Sequence, residues 1–216
     1  MPMPANILKV TQKGTIATDV WQTACYFRAK STPPTLPIPA AFGTAIANAS
    51  RTCFVNLAPY TSAMVSWTGV RLDWYGSGGL LIASLDATAT GGSAGGSAAG
   101  NHPPQTCVVV SMRSAGTGPT ARGRMYWPLL SGTVSTATGT FPSADASSIA
   151  GHLRTFLLAV GADTTWSAAG WDPVVVSQTA GGLDRLLTHL KVGNVFDTQR
   201  RRRNKVIETY STVTVP

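Results

Sequence analysis

The period of the hydrophobic and polar positions changes several times along this chain, and each change marks an element. Residues 6–13 alternate with period two, the spacing of a strand with one face on a core, and Gly14 then offers a turn. Residues 15–28 are rich in Thr, Val, Trp and Tyr, which suit a pleated, half-buried surface, and predict the second strand of an N-terminal hairpin. Pro33, Pro34, Pro37 and Pro39 make residues 32–39 an extended connector. From there the apolar spacing lengthens: Phe42, Ile46, Ala49, Cys53 and Leu57 recur every three or four positions, which is one face of a helix. Pro39 suits its first turn and Pro59 ends it.

Residues 62–75 predict a long strand, Gly76, Ser77, Gly78 and Gly79 a turn, and residues 80–85 the returning strand. Residues 88–100 are almost all Ala, Thr, Gly and Ser, with no side chain to anchor a core, so a mobile surface loop is expected over 88–104. The continuous apolar run 107–112 reads as a strand buried on both faces. A loop over 114–120 precedes a strand over 123–127 that Pro128 closes. Ser143 reads as a helix N-cap with Asp145 near the positive end. Ile149, Leu153, Phe156, Leu157 and Val160 form the helical stripe, and Gly161 sits where a C-terminal cap belongs. Residues 174–177, 186–195 and 206–215 read as the last three strands. The expectation is a single β-rich α+β domain over 1–216, with mainly antiparallel strands in a sandwich or jelly-roll-like arrangement and two helices. No internal repeat is visible.

Composition changes this picture in one respect. The 216 residues are 44% hydrophobic but only 12% charged, about half the charged share of an ordinary soluble domain. A surface so poor in charge suits a protein whose neighbours cover it; a monomer with a Ser/Thr/Gly-rich skin is the plainer reading. The formal charge of +8 favours polyanions or acidic partner patches. Half of it comes from Arg200, Arg201, Arg202 and Arg203. Cys25, Cys53 and Cys107 lie in apolar settings without a CxxC pair and read as small buried hydrophobes, with a disulfide between two of them as the alternative. Residues 1–11 lack a signal-peptide core and no stretch has membrane-span length, so folding in a cytoplasm and no membrane partner are expected.

Candidate chemistry is sparse. His102, His152 and His189 belong to no catalytic signature, and neither a GxSxG elbow nor an HExxH pair occurs. The nine acids form no evident pair, and no ligand spacing suggests a metal. The segment from Gly116 to Ala121 faintly echoes a dinucleotide loop, but Pro119 removes an amide and a strand follows. Neither an enzyme nor a cofactor is expected. The strongest local signal is basic: Arg200, Arg201, Arg202, Arg203 and Lys205 within segment 199–205. Extended, the run sends Arg200 and Arg202 to one face and Arg201 and Arg203 to the other. Guanidinium forks pair with carboxylate or phosphate, so packaged nucleic acid and an interface with a neighbour, through acids such as Asp73 or Asp86, both stay open beside a solvated patch. Arg122 and Arg124 form a second, smaller basic site.

Two segments carry a resemblance. Ala121-Arg122-Gly123-Arg124-Met125-Tyr126-Trp127-Pro128-Leu129, and Val192 onward through Asp197-Thr198-Gln199-Arg200-Arg201-Arg202, resemble a family of small virion-associated structural proteins from tailed-phage and environmental viral genomes. That family pairs an RGRxYLP-like strand with a later DTQRRR strand end. The hairpin over 70–85 and Pro103-Pro104-Gln105 fit as well, while Trp127 stands where the family pattern has Leu. The resemblance implies a virion subunit made in a host cytoplasm and supplies no catalytic residue. The function expected is therefore a capsid shell, decoration or connector protein whose partners are copies of itself, other virion proteins and packaged nucleic acid. A nucleic-acid-binding module using the arginine run is the alternative, and a carbohydrate-binding or enzymatic domain a remote one.

Overall fold

Two long antiparallel strands open the fold, β1 (Ile7–Ile16) and β2 (Asp19–Ala29), in register from Ile7 opposite Arg28 to Ile16 opposite Asp19. The computed structural model describes residues 6–30, 34–76, 80–98, 106–113, 122–127, 143–174, 187–194 and 211–214. Side chains are described within 6–98 and 148–172; the remaining segments are described by backbone course and pairing. The turn between β1 and β2 is Ala17 and Thr18 and not Gly14, which lies inside β1. A Cβ on Gly14 would stand 1.9 Å from the Ser66 carbonyl oxygen and 2.3 Å from Trp21 Nε1. The glycine serves close backbone approach, and the turn falls to Ala17 at φ 53, a region that costs an L-residue strain.

β3 (Val65–Tyr75) pairs with the other side of β1, its register shifting between Lys13 and Gly14. β4 (Leu81–Ala87) and the two-residue β5 (Ala94–Gly95) pair with the far side of β3, and β8 (Trp171–Val174) with β2. The order is β4-β3-β1-β2-β8, with β5 beside β3. Cross-strand partners put Leu8 and Val10, Cys25 and Phe27, Leu72 and Trp74 on one face, all buried. α1 (Ala40–Leu57) lies over that face, as the apolar spacing predicts, burying Phe42, Ile46, Cys53, Phe54 and Leu57. Ala49 is only partly buried, because Ala47 and Ser50 share the inward stripe. Ser50 belongs there since its hydroxyl accepts the Trp67 indole N–H at 2.9 Å.

α2 (Ser143–Ala162) packs on α1 and β8, burying Ile149, Leu153, Phe156, Leu157 and Val160 as expected. Ser143 is its first helical residue, and Gly161 lies within its last turn and does not cap it. The sharp reversal falls at Gly170 (φ 81), where a Cβ would meet the Gly161 carbonyl oxygen at 2.5 Å. Trp166 and Trp171 then close the core in a cluster with Phe42 and Trp74, ring centroids 5.2–5.8 Å apart. Such rings bury on the order of 150–250 Å² each, so this cluster ties α2 to the sheet.

The loop expected over 88–104 departs from expectation where it is described. Ala89 and Ala98 are buried, Gly96 N–H donates to Val65 O, and Ala98 N–H donates to Thr61 O. Arg51 of α1 donates to Gly92 O and Asn48 bonds the backbone of Thr90. Short side chains let this backbone approach its neighbours closely, a Cβ on Gly96 meeting Ser62 O at 2.2 Å, so amides anchor it where apolar side chains are lacking. Residues 99–104 fall outside the described residues.

β6 (Thr106–Arg113), β7 (Arg122–Trp127), β9 (Leu187–Asn194) and β10 (Ser211–Thr214) form a second antiparallel sheet, ordered β10-β9-β6-β7. The register puts Val108, Val110, Met125, Trp127, Leu190 and Val192 on one face. The burial expected for the 107–112 run lies outside the described side chains, yet the register gives its two faces different neighbours. α2 touches β9 and β10, and β7 lies near β2. The whole is one β-rich α+β domain with mostly antiparallel strands and two helices.

Candidate interaction surfaces

Arg122 and Arg124 occupy alternate positions of β7, so they share a face of the smaller sheet. The register sets Arg122 directly opposite Arg113 and Arg124 opposite Ser111. Arg200, Arg201, Arg202, Arg203 and Lys205 lie outside the described residues, as does His102. Among the described residues β7 stands at the end of the order β10-β9-β6-β7.

The larger sheet carries a polar network on the face away from α1. Arg71 Nε donates to Asp73 Oδ1 at 2.8 Å, and Ser84 Oγ donates to the same oxygen at 2.6 Å. Arg71 also reaches Ser84 Oγ at 3.1 Å and Asp86 Oδ2 at 4.0 Å, and Lys13 Nζ bonds Asp86. The hydrogen bond and charge of Asp73 push the Arg71 pKa up, so this guanidinium stays charged. Asp73 and Asp86, named above as acceptors for a neighbour's arginines, are thus already engaged within the chain. Beside them Tyr26 is pushed up, first by burial and then by Tyr75, Cys25 and Asp73. The pairs with Asp86 are exposed and add only about 0–1 kcal/mol each, whereas the Asp73 carboxylate is buried and held by Arg71 and Ser84.

Neither Cys25 nor Cys53 is in a disulfide, and burial pushes both thiols far up, which leaves them without thiolate character near neutral pH. Cys107 is outside the described side chains. His152 sits half-buried on α2 near Ser148 Oγ at 3.5 Å, the boundary position its spacing suggests. Among the described residues no group of three His, Cys, Asp or Glu is placed to hold a metal, and no helix is long and apolar enough to cross a membrane.

An apolar feature that sequence reasoning missed stands at the rim. β4 pairs with β3 on one side only, and its far edge has no strand partner among the described residues. Where β4 begins, Leu80, Leu81 and Ile82 are 72%, 52% and 43% exposed. The sequence signal was available, since three consecutive aliphatic residues cannot all lie on one face of a strand. Natural edges are commonly blunted by Lys or Pro; β4 has neither, and its one charge, Asp86, is held by Lys13 and Arg71.

Compared with known proteins, the chain matches no family model, no curated protein and no solved structure.

Proposed function

We propose that the protein is a non-enzymatic structural subunit of a virus or phage particle, a shell, decoration or connector protein that packs against copies of itself and other particle proteins. The observation that carries this is the open edge of β4 with its exposed Leu80, Leu81 and Ile82. A largely uncharged edge without a strand partner among the described residues is a template for another strand. The occupant is the β4 edge of a second copy. An antiparallel pairing centred on Ser84 sets Asp86 against Ile82 of the copy, so no like charges meet and backbone hydrogen bonding continues across the junction. The low charged share of 12% and the resemblance of the β7 and 192–202 segments to virion-associated proteins support the same reading.

The test is the mass of the purified protein by light scattering at low and high salt, with absorbance at 260 and 280 nm. The expected result is an assembly of several copies that persists at high salt, because an apolar, backbone-paired contact is not screened. A monomer at all concentrations and both salts would overturn the proposal.

A further inference from the structure

The smaller sheet holds an arrangement that neither the arginine run nor the β4 edge explains. Its four strands contain no aspartate or glutamate. The register places all of their cationic residues on one face: Arg113 opposite Arg122, Arg124 in line with Ser111 and His189, and Lys191 in line with Val109 and Tyr126. These residues come from three strands and from sequence positions up to 78 apart (113 to 191), so only the pairing unites them. The opposite face carries no charge and holds Val108, Val110, Met125 and Leu190 among others. A charged face backed by an uncharged one is the alternation of an antiparallel sheet that keeps one face in water.

We infer that the basic face formed by Arg113, Arg122, Arg124, His189 and Lys191 binds single-stranded nucleic acid through its phosphates. Directly opposed like charges destabilise a sheet, and Arg113 and Arg122 occupy opposed register positions. Phosphates of a polyanion relieve that penalty, because each guanidinium fork can take one bidentately. Tyr126 shares the face with Arg122 and Arg124 and offers one ring on which a base can stack, a contact characteristic of single-strand binding. The four strands place no carboxylate on this face, whereas Arg71 of the larger sheet has Asp73 beside it. The inference stands on strand register alone and holds whether or not the protein assembles.

The test is fluorescence anisotropy of a labelled mixed-sequence single-stranded oligonucleotide of about 20 nucleotides, titrated with the full chain between about 50 and about 200 mM salt. Four phosphate contacts predict a slope of log affinity against log salt near −3, and so a loss of roughly 50-fold over that range, with any contribution of the arginine run added to it. The combined variant Arg113→Ser, Arg124→Ser, Lys191→Ser should flatten the slope by about two while the thermal transition is retained. The single Arg113→Ser variant relieves a like-charge opposition, so it should keep the fold, and it should flatten the slope by about 0.7. Arg201→Ala with Arg203→Ala must leave the contribution of the face in place. No binding at the lowest salt, or full loss with the run variant and none with the face variants, would overturn the inference. So would equal affinity for polyglutamate of matched charge, which would reassign the face to an acidic protein partner.

Discussion

At the scale of single residues, the N-terminal hairpin inverts the usual reading of glycine. Gly14 sits mid-strand because the Ser66 carbonyl and Trp21 leave no room for a Cβ, while the turn uses Ala17 in a conformation glycine prefers. Local sequence could not reveal this, since the crowding comes from β3, some fifty positions away. The two sites predict opposite effects. Gly14→Ala should lower stability by about 2–3 kcal/mol, since the carbonyl cannot retreat without breaking the sheet. Ala17→Gly should raise it by about 0.5–1 kcal/mol. Chemical denaturation of the two variants beside the parent reads both; equal effects of the same sign would refute the assignment of the turn.

A second residue-scale prediction concerns Gln12, fully buried on the core face opposite Thr23 and Val70, with neither amide atom hydrogen-bonded. An orphaned buried polar group costs about 1–3 kcal/mol, so Gln12→Leu should be neutral or stabilising, and a loss above about 1 kcal/mol would show that the amide is engaged. The pH response follows from burial. Cys25, Cys53 and Tyr26 are all raised above their ordinary values of 9.0 and 10.0. Their contribution is fully present below those values and falls as the pH rises past them, because the unfolded chain ionises first. Thermal melts from neutral pH upward should therefore hold level to about pH 9 and then decline.

At the scale of elements, legibility followed periodicity. Both helices and the hairpin of β3 and β4 could be read because their apolar residues repeat with the period of the element, as in Phe42, Ile46, Cys53 and Leu57. Residues 88–98 could not be read, because that segment is held by backbone amides and not by side chains. The run Leu80, Leu81 and Ile82 signalled an exposed aliphatic residue, but that β4 lies at an edge could not be read, since whether a strand is internal or terminal is a property of sheet order. Leu81→Lys with Ile82→Lys tests its role. Both positions are exposed, so stability should change by no more than about 0.5 kcal/mol, while the assembled mass should collapse to that of the monomer. An unchanged mass would remove β4 from the interface.

At the scale of the whole molecule, the α+β class and its antiparallel character were legible, but the division of strands between two sheets was not. β8 joins β2 across about 140 residues, and β9 joins β6 across about 80, pairings that depend on long-range burial and carry no local signature. The basic face depends on the same pairings: Arg122 and Arg124 could be named from sequence, whereas Arg113, His189 and Lys191 join them only through register. Under the two proposals, the largely uncharged β4 edge would meet a second copy and the basic face a polyanion.

The central claim is that copies meet along β4, and amide hydrogen exchange over residues 81–87 tests it most directly. In the assembled protein these amides should exchange as slowly as those of β1, and in the Leu81→Lys, Ile82→Lys variant those on the open side should exchange rapidly. Rapid exchange along β4 in an assembled protein, equal to that of the variant, would contradict the account.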